Sequence, residues 1–182
     1  MFITPVEIFR LIAVTFALGY IFSDIVKRPK AIADFYKKYN WQDIKTSMII
    51  AAPAVLLHEL GHKFVAIFYG LNAEFFASYF GLGIGILLKL VGSPFLIFIP
   101  GYVSINNATI TQSAIIAFIG PLMNLFLWIS SYLLLKSKHF SNNTLIILHA
   151  TKRINMILFF FNMIPIPPFD GAKVLSGLLE FV

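Results

Sequence analysis

Two histidines and a glutamate near position 60 have the types and the spacing needed to activate water. His58 and His62 lie one turn apart if the segment is helical, so both imidazoles can reach the same metal ion. Glu59 follows His58 directly and is placed to take a proton from a water activated at that ion. This H-E-x-x-H pattern predicts a metal site with hydrolytic chemistry.

The segment around this motif is otherwise apolar. In residues 48–69, Lys63 is the only charged side chain besides Glu59 and the two histidines. The alternative is a chance pattern in which the histidines are ordinary core residues with satisfied ring nitrogens. Ionisable groups inside a membrane span are costly and therefore functional by default. We favour a metal site at membrane depth.

The composition is that of an integral membrane protein. Of the 182 residues, 59% are hydrophobic and 12% are charged, against roughly 45–50% and 25% in soluble domains. We expect a multi-pass protein of the cell membrane with the lipid bilayer as its partner. The chain has no cysteine, so histidines and carboxylates must supply any metal ligands. The net charge of +6 suits anionic lipid headgroups, and the basic loops lack the arginine clusters and stacked aromatics of a nucleic-acid site.

Hydropathy predicts an all-α polytopic membrane protein with about four transmembrane helices. Asp24, near the end of the first span, is expected to face the interface. The basic and aromatic residues of 27–45 are typical of an amphipathic segment lying at the membrane surface. The predicted spans are residues 11–26, where the helix could begin near Pro5, and residues 48–69, 111–135 and 145–161.

Residues 71–107 are apolar but rich in glycine and proline. This composition favours a re-entrant hairpin or short strands beside the site, because irregular backbone at membrane depth needs protein or a water-filled cavity around it. The β-prone runs 95–99 and 102–105 are the candidate strands, with Pro100-Gly101 as the turn between them. A full span over 80–100 is the alternative.

The last span is predicted to break at residues 162–171, where three prolines fall within four residues. Asp170 would then lie on unwound backbone at membrane depth and is the best-placed third ligand for Zn²⁺, beside His58 and His62. Asn162, near the break, could donate to the tetrahedral oxyanion, or it could cap the helix and bind freed carbonyls. His139 and His149 are not expected to be ligands.

Three motifs together resemble the site-2 protease family of intramembrane zinc metalloproteases. The resemblance covers roughly residues 51–174. The motifs are His58-Glu59-Leu60-Gly61-His62, the G-x-x-x-N of Gly120 to Asn124, and Asn162-x-x-Pro165 leading to Asp170-Gly171.

The resemblance implies that His58, His62 and Asp170 bind one Zn²⁺ per chain and that Glu59 is the general base. It implies that Asn124 and Asn162 help to hold the substrate or the oxyanion. The implied substrate is a transmembrane protein cut in its membrane segment. We expect a single membrane-embedded domain over 1–182, with a core of about 48–182 and an accessory first span and basic segment in 1–47.

Two other functions compete with this one. A catalytically silent relative would bind membrane helices without cutting them, but the chain retains Glu59 and all three expected ligands. A metal-ion transporter could also combine a broken helix with intramembrane histidines, although no inverted repeat of the break is present. The positive-inside rule and the family pattern favour opposite membrane orientations, and the sequence gives no indication of oligomeric state.

Overall fold

A computed structural model describes residues 2–23, 41–93, 99–136 and 139–180. The predictions for Asp24, for most of the basic segment 27–45 and for most of the run 95–99 lie outside these residues. The described elements are α1 (Pro5–Phe22), α2 (Trp41–Phe68), β1 (Ala73–Ala77), α3 (Tyr79–Leu90), β2 (Gly101–Ile105), α4 (Ile110–Leu134), α5 (Asn142–Asn162) and α6 (Asp170–Leu179).

Four of the described helices are long and apolar enough to cross a membrane, namely α1, α2, α4 and α5. This confirms the predicted number of spans. Helix α4 is central, because it packs against α2, α5 and α6, while α1 packs against α2. Large apolar side chains such as Phe9 and Phe80 are exposed, as expected of surfaces that face lipid.

The helices begin where their sequences supply caps. Thr4 and Glu7 form a capping box at the start of α1, and Thr109 and Gln112 form another at the start of α4. These side chains satisfy backbone N–H groups that have no partner within the helix. Helix α2 runs through Pro53 without interruption.

The strands β1 and β2 form an antiparallel pair, with Phe75 opposite Val103 and Ala77 opposite Gly101. Short strands were predicted in this region, and β2 matches the predicted run 102–105. The predicted turn at Pro100-Gly101 is wrong for Gly101, which is the first residue of β2. The described partner of β2 is β1, which comes from residues before α3.

Helix α3 was not predicted, because its glycines disfavour a helix by about 1 kcal/mol each. At Gly81 the reason for glycine is close packing, since a Cβ there would overlap the carbonyl oxygen of Ile99. With 12 residues, α3 is only about 18 Å long, too short to cross a bilayer core of about 30 Å. The alternative of a full span over 80–100 is therefore wrong.

The predicted break in the last span is present. Helix α5 ends at Asn162, and α6 begins at Asp170 after a stretch of bends and turns. The prediction that Asp170 lies on unwound backbone is wrong, because Asp170 is the first residue of α6. The break turns the chain back so that α6 packs against α4.

Candidate active site

Three side chains from α2 and α6 bring their donor atoms together. Nε2 of His58 lies 3.1 Å from Nε2 of His62 and 3.1 Å from Oδ2 of Asp170, and the His62–Asp170 distance is 3.3 Å. Ligands of a tetrahedral Zn²⁺, with bonds of about 2.0–2.1 Å, would lie about 3.3 Å apart. The triangle therefore has the size and chemistry of a zinc site with one open position.

The neighbour of His62 determines which of its ring nitrogens can bind a metal. Its Nδ1 lies 2.7 Å from the carbonyl oxygen of Ile116 in α4. A carbonyl can only accept, so Nδ1 must carry the hydrogen. Nε2 is then left with its lone pair pointing at the triangle, as a metal ligand requires.

The tautomer of His58 follows from a longer chain of hydrogen bonds. The Asn124 amide lies between the Ala54 carbonyl oxygen and Nδ1 of His58, each at 2.8 Å. Because the Ala54 oxygen can only accept, the NH₂ of Asn124 faces it and Oδ1 faces His58. His58 must therefore donate from Nδ1, which leaves Nε2 free to bind a metal.

A second buried asparagine completes this network. Nδ2 of Asn124 also donates to Oδ1 of Asn155 at 2.9 Å, and Nδ2 of Asn155 donates to the Thr151 carbonyl at 2.8 Å. Asn124 and Asn155 are both fully buried. The network joins α2, α4 and α5, and both hydrogens of the Asn124 amide are used within it. This geometry favours a positioning role for Asn124 over the substrate or oxyanion role that the resemblance implied.

Glycine at position 120 keeps the space between the two imidazoles open. A Cβ there would overlap Nε2 of His62 and would lie 2.7 Å from Nε2 of His58. Any larger residue would therefore fill the space between the imidazoles. The G-x-x-x-N motif on α4 thus provides that space at Gly120 and orients His58 through Asn124.

Glu59 lies beside the triangle and is 8% exposed. It borders a cavity of about 260 Å³ that is also lined by His58, His62 and Asp170, by β2 and by Asn162. The cavity therefore brings together the predicted base, the three predicted ligands and a strand.

Asn162 lines this cavity, but its Nδ2 donates to the Leu158 carbonyl one turn back, at 3.0 Å. The Leu158 carbonyl lies inside α5, so this contact is a bond within the helix rather than one to a carbonyl freed by the break. Among the described residues this amide has no second acceptor, so the oxyanion role stays a prediction. His139 and His149 do not belong to the metal-binding group found among the described residues.

Residues 46–140 match the model of peptidase family M50, which includes the site-2 proteases. The chain belongs to peptidase family M50. It is 36% identical over 175 residues to "Putative zinc metalloprotease MJ0611" of Methanocaldococcus jannaschii, covering 93% of this chain and 83% of the relative. It is 30% identical over 134 residues to "Zinc metalloprotease MJ0392" of the same organism, covering 72% of this chain and 34% of that relative. No solved structure matches the chain.

Membership of family M50 confirms the resemblance to site-2 proteases and makes the chain a membrane zinc metalloprotease at family level. Together with the four apolar helices it makes this M50 peptidase a multi-pass membrane protein. The transporter alternative is not retained, because the family and its named members are hydrolases.

Sequence reasoning missed Asn155 in this M50 peptidase. The argument that singled out Asn124, a polar amide in an apolar span, applies equally to Asn155. It also missed the buried ion pair of Glu7 and Lys63, although Lys63 had been noted as a charge in an apolar run. An intramembrane charge needs a partner, and that requirement was the available signal.

Proposed function

We propose that the chain is an intramembrane endopeptidase that hydrolyses peptide bonds within transmembrane segments of other membrane proteins. One Zn²⁺ per chain would be held by His58, His62 and Asp170. The observation that carries the proposal is that the donor triangle, Glu59 and one edge of a β-sheet border a single cavity. We propose further that residues 1–182 form one domain in the cell membrane, with its core in 48–182.

The residues present suit zinc in chemistry as well as in geometry. Both imidazoles present unprotonated Nε2 atoms, and the third ligand is an oxygen donor, which is a common catalytic zinc set. When bound, Zn²⁺ supplies Lewis-acid activation of water and of the scissile carbonyl.

Glu59 would act as the general base. Its carboxylate takes the proton from the attacking water as the water adds to the scissile carbonyl carbon. It then passes the proton to the leaving amide nitrogen, so that the C–N bond breaks to give a carboxylate and an amine. The buried position of Glu59 limits competing water, and Glu59 lines the same cavity as the three proposed ligands.

The substrate must reach the site in extended form, because the carbonyls of a transmembrane helix are hydrogen-bonded internally. Adding a strand to a sheet edge is an economical way to hold an unwound segment. Strand β2 lines the cavity, and among the described residues no strand pairs with its other edge.

The register supports β2 as the receiving edge. The Ser78 N–H donates to the Pro100 carbonyl at 3.0 Å, and hydrogen-bonded and non-hydrogen-bonded pairs alternate along an antiparallel ladder. Counting from that pair, Phe75 and Val103 form a non-hydrogen-bonded pair. The N–H and C=O of Val103 therefore point away from β1, towards the open edge.

The decisive experiment is Glu59→Gln in the purified protein, with one cleavable membrane substrate. The substitution keeps size and packing but removes the base, so we expect zinc to remain and the rate to fall by at least about 100-fold. Glu180→Gln, a carboxylate that bonds Thr111 outside the cavity, is the matched control and should keep wild-type activity. Turnover by Glu59→Gln within a few-fold of wild type would overturn the proposed role of Glu59. No cleavage of any membrane substrate by wild type would favour the catalytically silent alternative.

A further inference from the structure

A carboxylate on α1 that the proposed chemistry does not use connects three elements. Glu7 is 1% exposed. Its Oε1 accepts from the ammonium of Lys63 and, at 2.7 Å, from the backbone N–H of Phe75 in β1. Its Oε2 accepts from the N–H of Thr4 at 2.8 Å, which completes the cap of α1.

Stability alone does not account for this arrangement. Lys63 is 2% exposed, and replacing a buried ion pair by well-packed apolar residues is often neutral or stabilising. Lys63 also follows the zinc-site residue His62 directly. The pair therefore ties the metal-bearing part of α2 to the sheet, which suggests a positioning role.

The contacts of Glu7 and Arg10 cover the outer edge of β1. The N–H and C=O of Phe75 point away from β2, because Phe75 and Val103 are a non-hydrogen-bonded pair. Glu7 accepts from that N–H, and Nη1 of Arg10 donates to that carbonyl at 2.8 Å. Both hydrogen-bonding groups that an added strand would need at this position are therefore occupied.

Arg10 holds the same strand from the more exposed side. Its guanidinium pairs with Glu74 at 2.5 Å and lies 4.3 Å from the centre of the Phe76 ring. Three consecutive residues of β1 are thus bound by two side chains of α1. The opposite edge of the sheet, at Val103, has no such cover among the described residues.

We propose that α1 closes the outer edge of the sheet and that Glu7 is a positioning residue for the substrate. By binding Lys63 and Phe75 at once, Glu7 sets how far the open edge of β2 lies from the zinc ligands, and hence which peptide bond reaches them. The inference rests on the proposed function, in which β2 receives the substrate strand.

The test compares two double variants that share Lys63→Met and differ only in the residue that replaces Glu7. Glu7→Gln with Lys63→Met removes the ion pair but keeps an oxygen that accepts from Phe75. Glu7→Met with Lys63→Met removes both. We expect the first, which loses the contact with Lys63 but keeps the contact with Phe75, to stay closer to the wild-type KM and cleavage site than the second. We expect the second to raise KM by about tenfold, with kcat reduced less, and to add cleavage at neighbouring peptide bonds, measured by mass spectrometry of the products.

Zinc content should match wild type in both double variants, since neither substitution touches a ligand or its hydrogen-bond partner. Glu74→Gln is the control and should leave KM and the cleavage site unchanged, because Arg10 still binds the Phe75 carbonyl. If Glu7→Met with Lys63→Met does not accumulate in the membrane, Arg10→Met is the substitute variant. It removes the hydrogen bond to the Phe75 carbonyl and is expected to give the same change in KM and cleavage site.

A wild-type KM and a single wild-type cut in Glu7→Met with Lys63→Met would overturn this inference alone, because the wild-type protein would still cleave. The same result in Arg10→Met would do so where that variant is used. An inactive wild type would instead overturn the proposed function.

Discussion

Two regions border the same cavity, namely the face of α2 and α4 that carries the histidines and the β1–β2 sheet. They differ in how far their polar groups already have hydrogen-bond partners. At the face, Nδ1 of each histidine has a partner, and both hydrogens of the Asn124 amide are used. At the sheet, the outer edge is capped at Phe75, while no described strand pairs with the inner edge at Val103. Within the described residues, the polar groups around the histidines have their partners, whereas the sheet keeps an edge at which the proposed substrate strand could pair.

This difference suggests a division of labour. A metal ligand must be held within a few tenths of an ångström and in one tautomer, so its partners are buried and fully satisfied. A site that accepts many peptide sequences does better with backbone hydrogen bonds, which every residue except proline can make. Substitutions around the histidines should therefore change zinc, and those at the sheet should change cleavage alone.

The largest effect on zinc binding is expected from Asp170→Ala. Removing the third ligand should weaken zinc binding by more than the roughly 10–100-fold typical of losing an outer partner, and activity should fall with it. Elemental analysis of the purified protein measures occupancy. Ser176→Ala, on the exposed face of α6, is the control. Full occupancy in Asp170→Ala would remove Asp170 from the ligand set.

At the sheet, Val103→Pro should lower cleavage by about tenfold or more without loss of zinc, because proline cannot donate to an added strand. Val103→Ala keeps the N–H and should stay close to wild type. A substrate with Gly or Pro near the scissile bond should be cut faster than its poly-Leu version by the wild-type enzyme. Equal rates for both substrates with both enzymes would rule out strand addition and leave the zinc chemistry untouched.

The smallest expected effect concerns zinc affinity and the hydrogen bonds that orient His58. Asn155→Leu removes the partner of Asn124 and should raise the zinc dissociation constant by about tenfold, measured by competition with a chelator. Asn162→Leu is matched in residue type and helix but has no described link to His58, so its zinc affinity should not change. An unchanged affinity in Asn155→Leu would show that Asn124 holds His58 without help.

The spans were predictable because the length of an apolar run reflects bilayer thickness, whereas some helix starts were misplaced. The first span was predicted over 11–26 with a possible helix start near Pro5, and α1 does begin at Pro5, whereas the second span was predicted over 48–69 and α2 begins at Trp41. Glu7 and Arg10 count as polar in any hydropathy average. In the fold they are paired with Lys63 and Glu74, so they belong to the helix.

The metal triangle was predicted because each of its residues carries a local signal, either a one-turn spacing or a break in an apolar span. The positioning contacts could not be predicted in the same way. Asn124 and Asn155 meet across two helices, and Glu7 meets Phe75 across 68 positions of sequence. Such pairings depend on tertiary packing, for which hydrophobic periodicity carries no information.

The separation of the ligands along the chain has a consequence for biosynthesis. His58 and His62 are made early, on α2, but Asp170 lies on α6, beyond the break that follows α5. The proposed metal centre cannot be completed until α6 has left the ribosome and folded back against α4. A chain synthesised only as far as α5 therefore lacks the full ligand set, and newly inserted membrane proteins around it are not exposed to an active protease until α6 is in place.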